Sequence, residues 1–234
     1  MAIADVGFSG RLGNLIYYKM RGKTFVRVAP SKVRQTKATK VKATVFGRAS
    51  SMGKSIREQL FSVIPFPSDH KMQIRLVSAL VQWLNSFGGK SSDLSFIKEF
   101  DFIEKYRTVR KRWKTPLKVS ISSPGLVEIK IPAMLPEEAI EFPTGAVAVV
   151  CRIAIGVCDV ETGIPLASSS TELIFKFNNT KVDAQSISMK LPTLKGSLIV
   201  MGMSLTYRIR KVGYEVNYSV KSFMPAGILD AKYV

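Results

Sequence analysis

The residue types that carry most enzyme chemistry are scarce in this chain of 234 residues. Its one histidine, His70, is predicted to lie in the first turn of a helix, where a solvated or capping role is expected. Cys151 and Cys158 are seven residues apart in what reads as one strand, so they face opposite sides and cannot form a disulfide. We expect both to be small buried hydrophobic residues in a reducing compartment. No zinc-site spacing and no hydrolase triad is visible.

Two other patterns imitate catalytic or nucleotide sites without meeting their requirements. The stretch 47–55 has five residues between its glycines and no preceding strand, whereas a phosphate loop needs four residues and a strand. Glu137, Glu138 and Glu141 share one loop, whereas an acid–base pair of carboxyls needs facing elements and different surroundings. We therefore predict that the protein is not an enzyme and takes no cofactor, metal or small-molecule substrate.

The formal net charge of +18 is concentrated in the first half of the chain. Up to Pro116 there are 23 lysines and arginines against 7 acids, and after it 12 against 10. The first 57 residues contain 13 basic residues and a single acid, Asp5. A basic segment joined to a nearly neutral remainder is typical of an arm that binds a polyanion or an acidic partner.

The candidate binding residues are the cations of this basic segment and one aromatic neighbour. Lysine and arginine neutralise phosphates, and tyrosine and phenylalanine (Tyr17, Tyr18, Phe25) can stack on unpaired bases. The candidates are Arg11, Tyr17, Lys19, Arg21, Lys23, Arg27, Lys32, Arg34, Lys37, Lys40 and Lys42, with a second group at Arg110, Lys111 and Arg112. Nucleic acids and acidic protein surfaces both attract cations, so charge alone leaves both partners open.

Residues 1–30 are predicted to form a basic, glycine-rich β-hairpin arm. Two β-branched and aromatic runs, 15–18 and 24–28, flank the turn candidate Arg21-Gly22. A two-stranded hairpin is at best marginally stable alone. The arm must therefore pack on the rest of the chain, on another subunit or on a ligand.

Residues 31–114 are predicted to form a basic linker and a helical region. Residues 31–42 lack apolar periodicity and fit an extended linker or a frayed helix start. Apolar residues recur at three- and four-residue steps over 46–63 and again over 72–84, which predicts a pair of antiparallel helices. Residues 91–112 fit either a third helix or a strand.

Residues 115–234 change to the two-residue period of strands. The strand candidates are 117–122, 126–131, 146–157, 171–177, 186–191, 197–208 and 214–220. Turn residues separate them and no helical period intervenes, which favours an antiparallel, Ig-like β-sandwich. The predicted fold class is thus α+β, with a hairpin arm and a helical pair followed by the sandwich.

The stretch Gly10–Pro30 carries the runs G-R-L-G-N, G-K and R-V-A-P. It resembles the opening of a group of uncharacterised proteins from Bacteroidota and from phage or mobile-element contexts, which share G-[RK]-x-G-N, G-[KR] and R-x-x-P. Where that group has an Asn-Pro-Arg-Thr-like segment after the proline, this chain has Val33-Arg34-Gln35-Thr36-Lys37. The resemblance implies a helical pair, an Ig-like C-terminal half and a phage connection, and it transfers no catalytic residues.

These observations together predict a non-enzymatic structural or assembly protein, such as a virion component. Its arm would interlock with neighbouring subunits of a homo-oligomer or larger assembly, or contact nucleic acid. The alternative is a cytoplasmic DNA- or RNA-binding protein that uses the arm and the helical pair. We find no run of about 18 uncharged apolar residues and no secretory signal, so we expect no membrane partner and a cytoplasmic or virion location.

Overall fold

The computed structural model describes most of the chain, and its contacts divide into two compact units, Met1–Lys42 and Ala43–Val234. The described residues are 2–3, 9–30, 35–66, 69, 71–87, 93–104, 106, 108–122, 125–192 and 194–234. The protein is a mixed α+β protein whose sheets are antiparallel, as its sequence predicts.

The first unit contains a four-stranded antiparallel sheet. Its strands are β1 (Ala2–Ile3), β2 (Gly10–Leu12), β3 (Leu15–Met20) and β4 (Lys23–Val28), in the order β1-β4-β3-β2. The predicted hairpin is confirmed as β3 and β4, joined at Arg21-Gly22. Both turn residues have positive φ, +52° and +75°, as the tight turns that match strand twist require.

Helix α1 (Lys37–Gln59) begins in the first unit and continues into the second. Its start lies inside the stretch predicted as a linker or frayed start, because Thr36 caps it: Thr36 Oγ1 accepts a hydrogen bond from Thr39 N at 3.1 Å. Helix α2 (Met72–Phe87) packs against α1 at Gly53, where an added Cβ would lie 3.1 Å from Val77. The two predicted helices are therefore confirmed.

The second unit is built around a five-stranded sheet. Its strands are β7 (Ala146–Asp159), β8 (Pro165–Lys176), β10 (Ser197–Lys211), β11 (Tyr214–Asn217) and β12 (Ala226–Tyr233). A separate three-stranded sheet consists of β5 (Lys118–Ser122), β6 (Leu126–Ile131) and β9 (Gln185–Lys190). Short helical segments complete the unit: α3 (Ser95–Lys98), α4 (Val109–Arg112), α5 (Pro136–Ala139) and a single 3-10 turn at Lys221–Phe223.

The two long central strands, β7 and β10, are buried on both faces. Their odd-numbered apolar residues, such as Ile153 and Met203, share a core with the three-stranded sheet. Their even-numbered residues, such as Ala154 and Val200, share a second core with α1 and α2. Strict alternation along each strand thus separates the two cores.

Glycine permits the close approach of the helical layer to this sheet. A Cβ on Gly156 of β7 would lie 2.6 Å from Gln59 Oε1 of α1, and one on Gly202 of β10 would lie 3.0 Å from Val63. Gln59 uses this proximity, since its Nε2 donates to the carbonyls of Val157 (2.8 Å) and Ala167 (2.9 Å).

Strand β8 begins six residues before the predicted 171, and β11 ends at Asn217 instead of 220. Two further segments of the second unit differ more from their sequence-based predictions. Within 91–112 the described residues form α3 and α4 with an isolated bridge between Asp101 and Gly227, so neither one helix nor one strand results. Strand β12 was not predicted, because its small residues, glycine and aspartate dilute the alternation and its partner β10 is distant in sequence.

Candidate nucleic-acid or partner interface

The sheet of the first unit presents two chemically different faces. Directly paired residues share a face, and successive residues of a strand alternate. The pairs on one side are Arg11 with Ile16, Ile16 with Arg27, Tyr18 with Phe25 and Met20 with Lys23. We call this the basic face. The pairs on the other side are Leu12 with Leu15, Leu15 with Val28, Tyr17 with Val26 and Lys19 with Thr24, and we call this the apolar face.

The basic face surrounds an aromatic pair with cations. The rings of Tyr18 and Phe25 are stacked, with centroids 5.8 Å apart and planes 23° from parallel. The guanidinium carbon of Arg27 lies 5.8 Å from the centroid of Tyr18. Arg11 and Lys23 are exposed, and Arg11 Nε donates to the carbonyl of Gly13 at 3.1 Å, which orients that side chain.

The apolar face exposes three aliphatic side chains in one row across strands β2, β3 and β4. Leu12 is 60% exposed, Leu15 37% and Val28 63%. Among the residues of the unit whose side chains the structure describes, 9–30 and 35–42, only Ala29 is fully buried. Strands β2, β3 and β4 therefore contain half-buried side chains but no fully buried one. The sequence analysis did not predict this face, although alternate residues on either side of the Arg21-Gly22 turn indicate it.

The structure separates the predicted binding residues of the arm. Arg11, Lys23 and Arg27 share the basic face, whereas Tyr17 and Lys19 point to the apolar side. Arg21 occupies the turn between β3 and β4. Lys32 and Arg34 lie outside the described residues, as does His70.

The remaining cations of the first unit lie at the start of α1. Lys37, Lys40 and Lys42 are all exposed, and no acidic residue occupies the first turn. Positive charge at a helix N-terminus opposes the helix dipole and costs about 0.3–1 kcal/mol per residue. Interaction with the helix dipole therefore does not account for Lys37 and Lys40, which lie in the first turn.

The second basic group is integrated into the fold of the second unit. Arg112 is 4% exposed; its guanidinium lies 3.2 Å from Glu141 Oε1, donates to the carbonyl of Ser222 at 2.7 Å and covers the ring of Phe223 at 4.1 Å. A buried cation with these partners is part of the core. We therefore leave Arg112 out of the binding surface, although its sequence neighbours led us to include it.

Arg110 and Lys111, next to Arg112, remain exposed on α4. Arg110 Nη2 donates to the carbonyl of Lys98 at 3.1 Å and also to that of Leu229. Both residues line a hollow of about 290 Å³ with Asp101. Burial raises the pKa of Asp101 to about 6, against the opposing attraction of Arg75.

The two cysteines lie on opposite faces of β7, as predicted. Cys151 belongs to the core between the sheets and Cys158 to the core under the helices. Burial raises the pKa of both thiols, that of Cys158 to about 12. Neither thiol is activated as a nucleophile.

A search against family models, curated sequences and solved structures returned no match to this chain. Among the described residues, no three histidine, cysteine or acidic side chains group as metal ligands would. Within the same part of the chain, no helix is long and apolar enough to cross a membrane.

Proposed function

We propose that this protein is a non-enzymatic assembly subunit whose N-terminal sheet docks, through its apolar face, on a second copy of the chain. The observation that carries the proposal is the exposed row Leu12, Leu15 and Val28 on a sheet whose strands β2, β3 and β4 have no fully buried side chain. Covering an aliphatic side chain of this size fully contributes about 1.5–3 kcal/mol. Docking would therefore supply stability that the sheet lacks.

The charge distribution favours the apolar face of a second copy as the surface that covers this apolar face. The 36 residues from Val6 to Val41 contain no acid, so two basic faces repel each other. Two apolar faces can meet without burying the arginines, since Arg11 and Arg27 lie on the opposite side. A self-complementary patch of this kind fits a two-fold contact.

The second unit would act as the scaffold of the assembly. Its two antiparallel sheets share one core, and we propose that they form an Ig-like sandwich. The narrower proposal, a virion-type component, rests on the resemblance of Gly10–Pro30 to phage-associated proteins.

The second candidate function is DNA or RNA binding in the cytoplasm. The observation that favours it is the basic face, where three cations surround the stacked pair Tyr18 and Phe25. This function needs no self-association, so the two candidates make different predictions for the mass in solution.

The test is light-scattering mass of the nuclease-treated protein at low and high salt, with the ratio of absorbance at 260 and 280 nm across the peak. We expect a species larger than the 25.9 kDa chain that tolerates salt. Leu15→Asp should reduce it to the monomer, because a charge then lies in the docking face. The matched control Met20→Asp, which is 46% exposed on the basic face, should keep the wild-type mass. A monomeric wild type, or equal effects of both variants, would overturn the proposal.

A further inference from the structure

We infer that the basic face of the N-terminal sheet binds single-stranded nucleic acid, with bases on Tyr18 and Phe25 and phosphates on Arg11, Lys23 and Arg27. This inference deepens the nucleic-acid candidate above, and it does not depend on self-association through the apolar face. Neighbours in sequence, such as Tyr17 and Tyr18, lie on opposite faces, so only one of the two would contact the nucleic acid.

The arrangement of the rows determines which groups a strand would meet. Arg27, Phe25 and Lys23 alternate outward along one side of β4, so each is separated from the next by about 6.6–6.8 Å along the strand. Two cations thus lie about 13 Å apart with an aromatic ring between them. Arg11 on the edge strand β2 extends the positive charge of the same face across β3.

The aromatic centre favours unpaired bases over a duplex. A base exposes its ring face to a side chain only when it is unstacked from its neighbours, and each such contact is tolerant of sequence. A duplex instead offers phosphates and groove edges, which polar side chains on an inserted element read. On this face the half-buried Tyr18 and Phe25 occupy the middle, and the cations surround them.

Charge complementarity makes the ligand a polyanion. The pairs of β3 and β4 that share the basic face contain Arg27 and Lys23 and no acid. Neutralising phosphates releases counterions, with a slope of about 0.7 per contact in log affinity against log salt for single strands. Three contacts therefore predict a slope of about −2.

The experiment measures fluorescence anisotropy of a labelled oligothymidylate of about 12 nucleotides, and of a mixed-sequence duplex of the same length, over a range of salt. We expect the full-length protein to bind the single strand at least about tenfold more tightly than the duplex. Tyr18→Leu should weaken single-strand binding about tenfold, the lower end of what one stacked base contributes, and Tyr18→Phe should restore it.

Adjacent residues of the same type supply the controls, because they lie on the other face. Tyr17→Leu should leave affinity for the single strand within about twofold of wild type, the size expected when no base stacks on the residue. Lys23→Glu should weaken binding and make the salt slope shallower by about 1 or more, whereas Lys19→Glu should change both less. Equal effects of Tyr17→Leu and Tyr18→Leu, or binding of the duplex as tight as that of the single strand, would overturn the inference.

The light-scattering mass of each variant separates this inference from the assembly proposal. Tyr18→Leu should keep the wild-type mass while it loses affinity. Leu15→Asp should lose the mass and still bind the single strand. A Tyr18→Leu protein that loses both properties would overturn the assignment of independent roles to the two faces.

Discussion

The N-terminal sheet and the five-stranded sheet are built from the same alternating strands, but only the second is buried. Ile153 on β7 is inaccessible to solvent, whereas Ile16 on β3 is only partly buried. Cations differ in the same way: Arg112 is enclosed by Glu141 and Phe223, and Arg27 is exposed. A sheet pattern therefore specifies local pairing, while stability depends on what covers its faces.

The largest expected difference between the two sheets comes from an isoleucine in each. Ile153→Ala should lower the free energy of unfolding by about 4 kcal/mol, because it leaves a cavity between the two sheets of the second unit. Ile16→Ala should lower it by less than about 2 kcal/mol, the lower end for a buried isoleucine, since Ile16 is only partly buried. Urea unfolding followed by the fluorescence of Trp83 and Trp113 measures the first change, because both tryptophans lie in the second unit. Hydrogen exchange of the β3 and β4 amides, at a concentration that keeps the chain monomeric, measures the second change.

If Ile16→Ala lowered the free energy of unfolding as much as Ile153→Ala, the two sheets would not differ in this way. It would mean that the N-terminal sheet already has a core in the monomer. Docking would then add nothing that the sheet needs.

An arginine in each region gives the next largest difference. Arg112→Ala should cost about 3 kcal/mol, because it removes the buried ion pair with Glu141 and the cover from Phe223. Arg27→Ala should cost less than about 0.5 kcal/mol, as expected for an exposed charge. Tryptophan fluorescence measures the change at Arg112, and hydrogen exchange of β3 and β4 measures the change at Arg27. A stability of Arg112→Ala within about 0.5 kcal/mol of wild type would show that the buried pair only balances its desolvation.

The smallest difference concerns two turns of the same kind. Val212-Gly213 joins β10 and β11 with φ of +43° and +89°, close to the values at Arg21-Gly22. Val212 is β-branched and 97% exposed, so no packing offsets its strained backbone. Val212→Asn should raise the stability of the second unit by about 1 kcal/mol.

Arg21→Asn is the matched control for that turn. It should leave the unfolding reported by Trp83 and Trp113 unchanged, because both tryptophans lie in the second unit. If Val212→Asn lowered stability, the valine would have a contact that outweighs its strain.

The parts of the fold that follow from local patterns could be predicted from the sequence. The hairpin at Arg21-Gly22 and the strands β5, β6, β7 and β10 have clear alternation or turn residues. Strand β12 could not be predicted in this way, because it depends on pairing with β10. The segment 91–112 also depends on tertiary contacts: Phe102 N donates to the carbonyl of Ala226 at 2.8 Å, which fixes it against β12.

The candidate site could be predicted in composition but not in arrangement. Net charge selects Arg11, Lys23 and Arg27 as candidates, yet it groups them with Lys19 on the opposite face and with the buried Arg112. The register of β3 with β4, which follows from the turn at Arg21-Gly22, is enough to place Lys19 on the other face. The burial of Arg112 depends on Ser222 and Glu141, distant in sequence, and charge counting carries no information about it.

The central claim is that the N-terminal sheet is stabilised by what it docks on. Hydrogen exchange of the backbone amides of β3 and β4, measured at concentrations below and above assembly with β7 and β10 as internal references, tests it most directly. We predict fast exchange of β3 and β4 in the monomer, protection that rises with assembly, and loss of that rise in Leu15→Asp. Protection of β3 and β4 that matches β7 at every concentration would contradict the claim.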